Sequence, residues 1–270
     1  MRLVNRRPGR EAALLLAALP FVLAILAYLC GSAARLADNP ADKLLPWPST
    51  ILEAIRAFAL EPDRRTGQIL LWSDTAASLA RLAIGLALAT VLAALLGVAI
   101  GLVPIADALA GAFVAALAMV PPLAILPILL VVLGTGEASK VGLVVLGTAP
   151  LLLRDVALRV RELPEELLVK AQTLGASTWH LAVRIVGPMV APRLLDALRL
   201  QLGPAWLFLI AAEAIAATEG LGYRIFLVRR YLAMDVILPY VAWITLLAFA
   251  TDRLLDLLSR RLFPWARPMA

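Results

Sequence analysis

Few residues in this chain have the types and spacing that catalysis or metal binding requires. The sequence contains one histidine, His180, and one cysteine, Cys30, which excludes an internal disulfide and argues against a His/Cys metal cluster. The glycine-rich stretch GTGEASK, from Gly134 to Lys140, lacks the G-x-x-x-x-G-K-[ST] spacing of a nucleotide-binding loop. We therefore predict no catalytic residue, no metal and no cofactor in this chain.

One interrupted amphipathic segment stands out instead: KAQTLGASTWHLAVRIVGP, from Lys170 to Pro188, which is too polar to cross a bilayer. Just before and within it, three apolar residues share one helical face: Leu167, Ala171 and Leu174. Gly175 suits the left-handed conformation that ends a helix, and Ser177 can cap a second one.

The second half of this segment has its own apolar face, made of Trp179, Ala182, Val183 and Val186. Pro188 is predicted to end this helix. The segment thus reads as a helix, a sharp turn and a helix. An apolar face on a loop needs cover, and the usual arrangement is a short helix seated in a partner's groove.

Composition shows which elements must position this segment. Hydrophobic residues make up 62% of the 270 residues, charged residues make up 16%, and the mean hydropathy is +0.91. These values are typical of an integral membrane protein. The net charge of +6 is dispersed along the chain and lacks the clustered basic face that nucleic-acid binding requires, so we predict no nucleic-acid partner.

Runs of about 20 apolar residues predict six membrane spans, and hence an all-α membrane protein in contact with lipid. The spans are Ala12–Cys30, Thr75–Val103, Ala108–Leu133, Val141–Leu153, Leu194–Ala217 and Val236–Leu258. The first is interpreted as an uncleaved anchor rather than a signal peptide. The fourth is short and contains Pro150, so it needs a tilt or an extension through RDVALRV.

Charge counts predict the orientation. With six spans both termini share one side, and this side, with the loops after spans two and four, carries 14 Lys and Arg against 9 on the other. The positive-inside rule therefore places both termini in the cytoplasm. The segment at 170–188 is then cytoplasmic as well.

Two parts of the chain follow from these spans. Residues 1–74 form an N-terminal membrane anchor and an external segment with one amphipathic helix, Ser49 to Leu60, for which Ser49 is the expected N-cap. Residues 75–270 form the core membrane domain, with the cytoplasmic loop at 161–193.

The cytoplasmic segment resembles the coupling loop of ABC importer permeases. That family's pattern is E-A-A, three residues, Gly, nine residues, Ile, one residue, Leu-Pro. Four of its positions match here, at Ala171, Gly175, Ile185 and Pro188. Three depart from it, at Val169, Lys170 and Gly187.

Three further stretches resemble the branch of these permeases for nitrate, sulfonates and taurine: SLARLAIG, LGTGEASK and AAEAIAATEGLGYRI. The resemblance implies the fold of type I ABC importer permeases in the bacterial inner membrane. It also implies two permease copies, most simply a homodimer. These copies work with an ABC ATPase subunit, which binds the ATP, and with an external solute-binding protein. The coupling residues it implies are Ala171, Leu174, Gly175, Ala176, Trp179, Ile185 and Pro188.

Three residues are candidates for the translocation path. Pro121 and Pro122 interrupt the third span near its middle, and broken helices often line a transport route, although a packing kink is an equal alternative. Glu213 lies late in the fifth span, where an ionisable group suggests a path. We favour a second interpretation for Glu213, in which it stabilises the external loop TEGLGYRI.

Two arginines near span ends and one glycine-containing stretch have structural interpretations. Arg81 and Arg199 are expected to extend toward the membrane surface as anchors, and GVAIG, Gly97 to Gly101, to allow close helix packing. The alternatives are a membrane scaffold and an ion-driven secondary transporter. The sequence shows no evident pair of buried acids or inverted repeat, which argues against the transporter.

Overall fold

The computed structural model describes residues 9–64 and 66–266, and every regular element in these ranges is a helix. Eleven helices follow in chain order: α1 Arg10–Asp38, α2 Pro48–Leu60, α3 Leu70–Leu102, α4 Pro104–Leu117, α5 Pro122–Leu133, α6 Glu137–Arg161, α7 Glu165–Thr173, α8 Thr178–Leu200, α9 Leu202–Ala216, α10 Leu221–Arg229 and α11 Met234–Leu262. A 3₁₀ turn, Pro264–Ala266, ends the described chain.

Four of the described helices, α1, α3, α6 and α11, are long and apolar enough to cross a membrane, and two bent pairs raise the count to as many as six. The first bent pair, α4 and α5, turns by 99° at the break before Pro122, where the sequence predicted an interruption of span three. The second pair, α8 and α9, turns by 48° beside Gln201. The fourth span takes the extension that the sequence allowed, because α6 passes through Pro150 and continues to Arg161.

The core is built around α6, the most buried of the long helices. Glycines of α3 let its backbone approach valines of α6 closely. A Cβ atom added at Gly85 would lie 2.7 Å from Val144, and one added at Gly101 would lie 2.5 Å from Val160. The predicted packing role of GVAIG is therefore confirmed, and the contact lies within one chain.

Pro188 does not end the second coupling helix, and that prediction is wrong. The helix α8 runs without a break to Leu200 and contains both Pro188 and Pro192. A π-helical stretch, Leu181–Val186, ends two residues before Pro188. The N–H of the residue between them, Gly187, donates to the Ala182 carbonyl. A wider turn keeps the proline ring clear of the preceding carbonyls, so the helix tolerates the proline.

The helix α1 lies apart from the rest of the bundle, and its apolar stretch has no buried residue. Its C-terminal end is joined to the following loop by two hydrogen bonds, from the Tyr28 hydroxyl to the Pro46 carbonyl (2.6 Å) and from Ser32 to the Leu45 carbonyl (2.8 Å). Asp42 lies in the same loop. A hydrogen bond from the guanidinium of Arg35, at the end of α1, lowers the pKa of Asp42 below its ordinary value.

The short amphipathic helix α2 forms where the sequence predicted it, but its cap was predicted wrongly. Trp47 occupies the N-cap position and Pro48 starts the helix, so Ser49 already lies in the first turn. Proline suits this position because the first N–H of a helix has no intrahelical partner. Phe58 of α2 packs edge-on against Tyr240 of α11, with ring centroids 6.0 Å apart.

Candidate functional sites: the coupling segment and a buried charge network

The turn between α7 and α8 has the geometry that the sequence predicted. Gly175 adopts φ +86°, and its N–H donates to the Gln172 carbonyl (2.9 Å). The Ala176 N–H donates to the Ala171 carbonyl (3.0 Å). These two bonds form a Schellman motif, which satisfies the last carbonyls of α7 and fixes the direction in which the chain leaves it.

Ser177 caps α8, as predicted. Its hydroxyl oxygen accepts a hydrogen bond from the His180 N–H at 3.3 Å and lies 2.8 Å from His180 Nδ1. The imidazole is thus held at the exposed start of α8. This turn is stabilised at both helix ends by local bonds, so the two helices keep a fixed angle to each other.

The apolar faces of the coupling segment divide into a buried base and an exposed tip. Leu181 and Val186 are buried against the bundle, whereas Leu174 is 81% exposed and Trp179 is 73% exposed. Val183 is also exposed, so the predicted face of α8 is only partly covered within this chain. Of the other candidate residues, Ala171, Ala176 and Ile185 are half-buried and Pro188 is exposed.

Near the C-terminal end of α9, Glu213 lies at the centre of a buried charge network and has no exposed surface. Its carboxylate accepts bonds from Arg81 (2.8 Å), from Ser78 (2.8 Å) and from the Gly222 N–H (2.9 Å). The Arg81 side chain also bonds both oxygens of Glu137, at the start of α6. Arg81 therefore joins α3, α6 and α9.

Asp74 forms a second centre of this network and is also fully buried. It accepts bonds from the Gly220 N–H (2.9 Å), from Arg224 (2.8 Å) and from the Tyr240 hydroxyl (3.3 Å). Together Glu213 and Asp74 hold the loop between α9 and α10 from two sides. This is the role that the sequence favoured for Glu213; its role in a path stays a prediction.

The sequence reasoning missed most of this network. Arg81 was expected to reach the membrane surface, but it is 4% exposed and paired with carboxylates. Arg199 was expected to do the same, and it pairs instead with Asp252 (2.8 Å) and Asp256 (2.7 Å) of α11. The argument from the absence of an evident acidic pair overlooked Asp74 and Glu213, which are both buried but bond different arginines.

A signal for the network was present in the sequence. Asp74, Ser78 and Arg81 follow the spacing i, i+4 and i+7, which places three polar residues on one face of an otherwise apolar helix. In lipid such a stripe must face protein or water. Its partners could not be read from spacing, because they lie 56 residues away at Glu137 and more than 130 residues away at Glu213.

The remaining candidate residues lie at the bend of the third span. Pro121 is exposed and Pro122 starts α5, so both stand where the chain turns by 99°. Their proposed place in a translocation path stays a prediction. No group of three or more His, Cys, Asp or Glu side chains that could hold a metal ion occurs in the described ranges 9–64 and 66–266.

The described helices form a membrane bundle with a capped, partly uncovered helical turn at one end. Such a bundle has the form of a transporter permease. The chain belongs to the family described as binding-protein-dependent transport system inner membrane component, whose sequence profile matches residues 89–264. The members of this family are permease subunits of ABC importers. The scaffold and the ion-driven transporter are thereby removed as alternatives.

Individual relatives agree with the family. The chain is 36% identical over 222 residues to the taurine transport system permease protein TauC of Escherichia coli (strain K12), covering 82% of this chain and 80% of the relative. It is 28% identical to the bicarbonate transport system permease protein CmpB of Synechococcus elongatus, covering 80% of each. It is also 32% identical over 146 residues to the putative aliphatic sulfonates transport permease protein SsuC of E. coli, covering 54% of this chain and 56% of the relative.

A solved structure supports the fold. The chain is similar to a chain of the MetNI methionine ABC transporter in its inward-facing conformation, with a TM-score of 0.53 and 22% sequence identity. The match covers 69% of this chain and 93% of that one. The predicted fold, an all-α membrane protein of the type I importer class, is confirmed, and the chain is a multi-pass membrane protein.

Proposed function

We propose that two copies of this chain form the membrane pathway of an importer for a small polar solute, together with two cytosolic ATPase subunits and an external solute-binding protein. The family description, which names binding-protein-dependent transport, supports the external partner. The ATP is bound and hydrolysed by the separate ATPase, since this chain has no phosphate-binding loop. Both termini lie in the cytoplasm of the bacterial cell.

The single observation that carries the coupling role is the uncovered apolar tip of the turn between α7 and α8. Leu174 and Trp179 expose most of their surface on a turn whose backbone is fixed by the Schellman motif and the Ser177 cap. A rigid turn with an apolar tip suits a groove on a partner protein. We infer that this groove belongs to the ATPase.

The helix α6 supplies a physical link from this turn to the external side. Its 25 residues extend roughly 38 Å at 1.5 Å per residue. Glu137 at its start bonds Arg81 in the external network, and its last residue, Arg161, lies just before α7. A displacement of the turn by the ATPase would therefore move a helix that is fixed to both ends of the bundle, as alternating access requires.

The solute is proposed as a sulfonate, a taurine-like compound or another small polar ion, with a small nitrogenous compound as the alternative. Taurine, aliphatic sulfonates and bicarbonate, the named solutes of the relatives, are small and carry an anionic oxygen group, which supports a small polar solute of this kind. A thermal-shift screen of the co-encoded solute-binding protein against small anions and small nitrogenous compounds tests this. Stabilisation by a sulfonate supports the proposal, and stabilisation only by a large or apolar ligand contradicts it.

A matched pair of glycine substitutions tests the coupling role. Gly175 (φ +86°) and Gly67 (φ +70°) both have positive φ and open space around the added Cβ, but Gly67 lies in the loop after α2. Alanine strains the backbone at both positions, because a Cβ disfavours positive φ. We expect Gly175→Ala to lower ATP-driven uptake about tenfold and Gly67→Ala to leave it within twofold. Gly175→Pro, which also removes the N–H, should abolish uptake.

The measurement uses the assembled transporter in proteoliposomes, with ATP hydrolysis recorded alongside uptake. Uncoupling shows as hydrolysis that persists while uptake is lost. If Gly175→Pro transports as well as the unchanged protein, or if the purified chain forms no complex with a co-encoded ATPase, the proposal fails.

A further inference from the structure

A surface groove between the external helix α2 and the start of α11 has no role in coupling or in the charge network. Seven residues of α11 line it, and four of them follow the spacing i, i+4, i+7 and i+11: Asp235, Pro239, Ala242 and Leu246. The opposite wall comes from α2, with Ala54, Ile55 and Phe58. Its volume is about 250 Å³, and apart from Asp235 its lining side chains are nearly all apolar.

This groove runs from the membrane surface into the lipid layer. Asp235 lies in the first turn of α11, and Leu246 lies eleven residues later, roughly 16 Å further along the helix. Ala242 and Leu246 are exposed on the outside of the bundle, so the groove opens toward lipid. It thus has one polar end at the external surface and one apolar end at membrane depth.

A second cavity continues from the polar end. It has a volume of about 360 Å³ and shares Asp235 with the groove. Trp47 and Tyr231 line it, and such amphipathic aromatic side chains are typical of the headgroup level of a membrane. Leu232, the residue after Tyr231, has φ +54°, which is an unusual conformation for this residue type. Tyr231 itself lies on the wall of this cavity.

The charges of the second cavity leave one anion and one cation without partners. Asp42 is already paired with Arg35. The Asp235 side chain is half-buried and makes no hydrogen bond or ion pair with any residue in the described part of the chain. The same holds for the exposed side chain of Lys43. The positive end of the α11 dipole favours a carboxylate at Asp235.

We propose that the groove and the second cavity together bind one phospholipid with a primary-amine headgroup, of the phosphatidylethanolamine type, in the outer leaflet. One acyl chain lies in the apolar groove along α11. The ammonium group donates to Asp235, and the phosphate lies by Lys43.

The choice among lipids follows from the hydrogen-bonding groups. A carboxylate accepts charge-assisted bonds from a primary ammonium, whereas a quaternary choline group has no N–H to donate. An anionic glycerol headgroup would place its only charge beside Lys43 and offer Asp235 uncharged hydroxyl donors, which make weaker bonds than an ammonium group. The site should therefore discriminate against both phosphatidylcholine and phosphatidylglycerol.

Native mass spectrometry of the purified full-length chain tests this, with an equimolar mixture of the three lipids carrying the same acyl chains. We expect one retained phosphatidylethanolamine per chain, about tenfold over the other two lipids. Asp235→Asn should reduce this retention about tenfold, to the level of phosphatidylcholine. Ala242→Trp, at an exposed position on the groove wall, should reduce the retention of all three.

Glu53→Gln is the matched control, since Glu53 is an exposed acid on α2 that does not line either cavity. It should leave lipid retention unchanged. A phosphatidylethanolamine with a photoreactive acyl chain should label residues 235–246 in the unchanged protein. Equal retention of the three lipids, preference for phosphatidylglycerol, full retention in Asp235→Asn, or labelling elsewhere would each overturn the proposal. None of these readouts depends on transport.

Discussion

Glu213 and Asp74 are carboxylates without exposed surface in a bundle whose outside faces lipid. Burying such groups is costly unless hydrogen bonds and opposite charges compensate. Each of them accepts bonds from an arginine, from a backbone N–H at the start of α10 or just before it, and from a hydroxyl group. Gly220 (φ +121°) makes this close approach possible, since an added Cβ would lie 2.6 Å from the Glu213 carboxylate.

At the residue scale, Glu213→Gln should destabilise the protein by about 2–3 kcal/mol, because it leaves part of the Arg81 charge uncompensated in a buried site. Thermal unfolding in detergent measures this as a drop of several degrees in Tm. Glu166→Gln, at an exposed position in the first turn of α7, is the control and should change little. Unchanged stability together with altered solute preference would instead favour a place for Glu213 in the path.

At the scale of helices, the close approach of α3 to α6 depends on glycine. The helices meet along Gly85, Gly97 and Gly101, each of which lies against a valine of α6. In a membrane the hydrophobic effect does not drive helices together, so tight van der Waals contact between small and branched residues supplies much of the association.

Gly101→Ala should therefore weaken this helix contact. The new Cβ would lie 2.5 Å from Val160 and 2.9 Å from the Ala157 carbonyl, so the helices must separate. We expect a loss of about 1–3 kcal/mol in stability, as for other overpacked interiors. Gly203→Ala in α9, where the added Cβ meets no atom within 4 Å, is the matched control. Equal Tm values for the two variants would contradict this account of the contact.

The two π-helical stretches, Ala93–Gly97 in α3 and Leu181–Val186 in α8, lie on opposite walls of one apolar groove of about 480 Å³. Trp179 lies on the rim of this groove. Each π turn displaces the side chains that follow it relative to a regular α-helix. The start of α8 is therefore positioned by helix irregularities as well as by its cap.

At the scale of the whole molecule, the charge network around Glu213 and Asp74 and the turn at Gly175 lie at opposite ends of α6. The proposed orientation predicts that impermeant thiol reagents reach the two ends from different sides of the membrane. The chain has a single cysteine, Cys30, so Cys30→Ser provides a background without thiols.

In that background, His180→Cys should stay unlabelled in intact cells and become labelled in inverted membrane vesicles. Gln68→Cys, exposed in the loop before α3, should show the reverse pattern. Both positions are exposed, so the difference measures membrane side and not burial. Labelling of position 180 in intact cells would place the turn outside and end the coupling proposal.

The sequence alone determined the features that depend on neighbouring residues. Apolar length predicted the long membrane helices, and Gly175 and Ser177 set the turn between α7 and α8. These signals act within a few residues, through backbone conformation and capping bonds, so they survive whatever surrounds them. The spacing of GVAIG likewise indicated a packing face, though not the helix that it meets.

Only the tertiary structure decided which groups meet across the bundle. Arg81 pairs with Glu213 because folding brings together helices that are distant in sequence. The continuation of α8 through Pro188 and the 99° turn before Pro122 depend on irregular turns. In lipid an apolar face can contact either lipid or protein at similar cost, so hydrophobic periodicity does not identify the packed side. That choice was made by close glycine contacts and by buried charges that required partners.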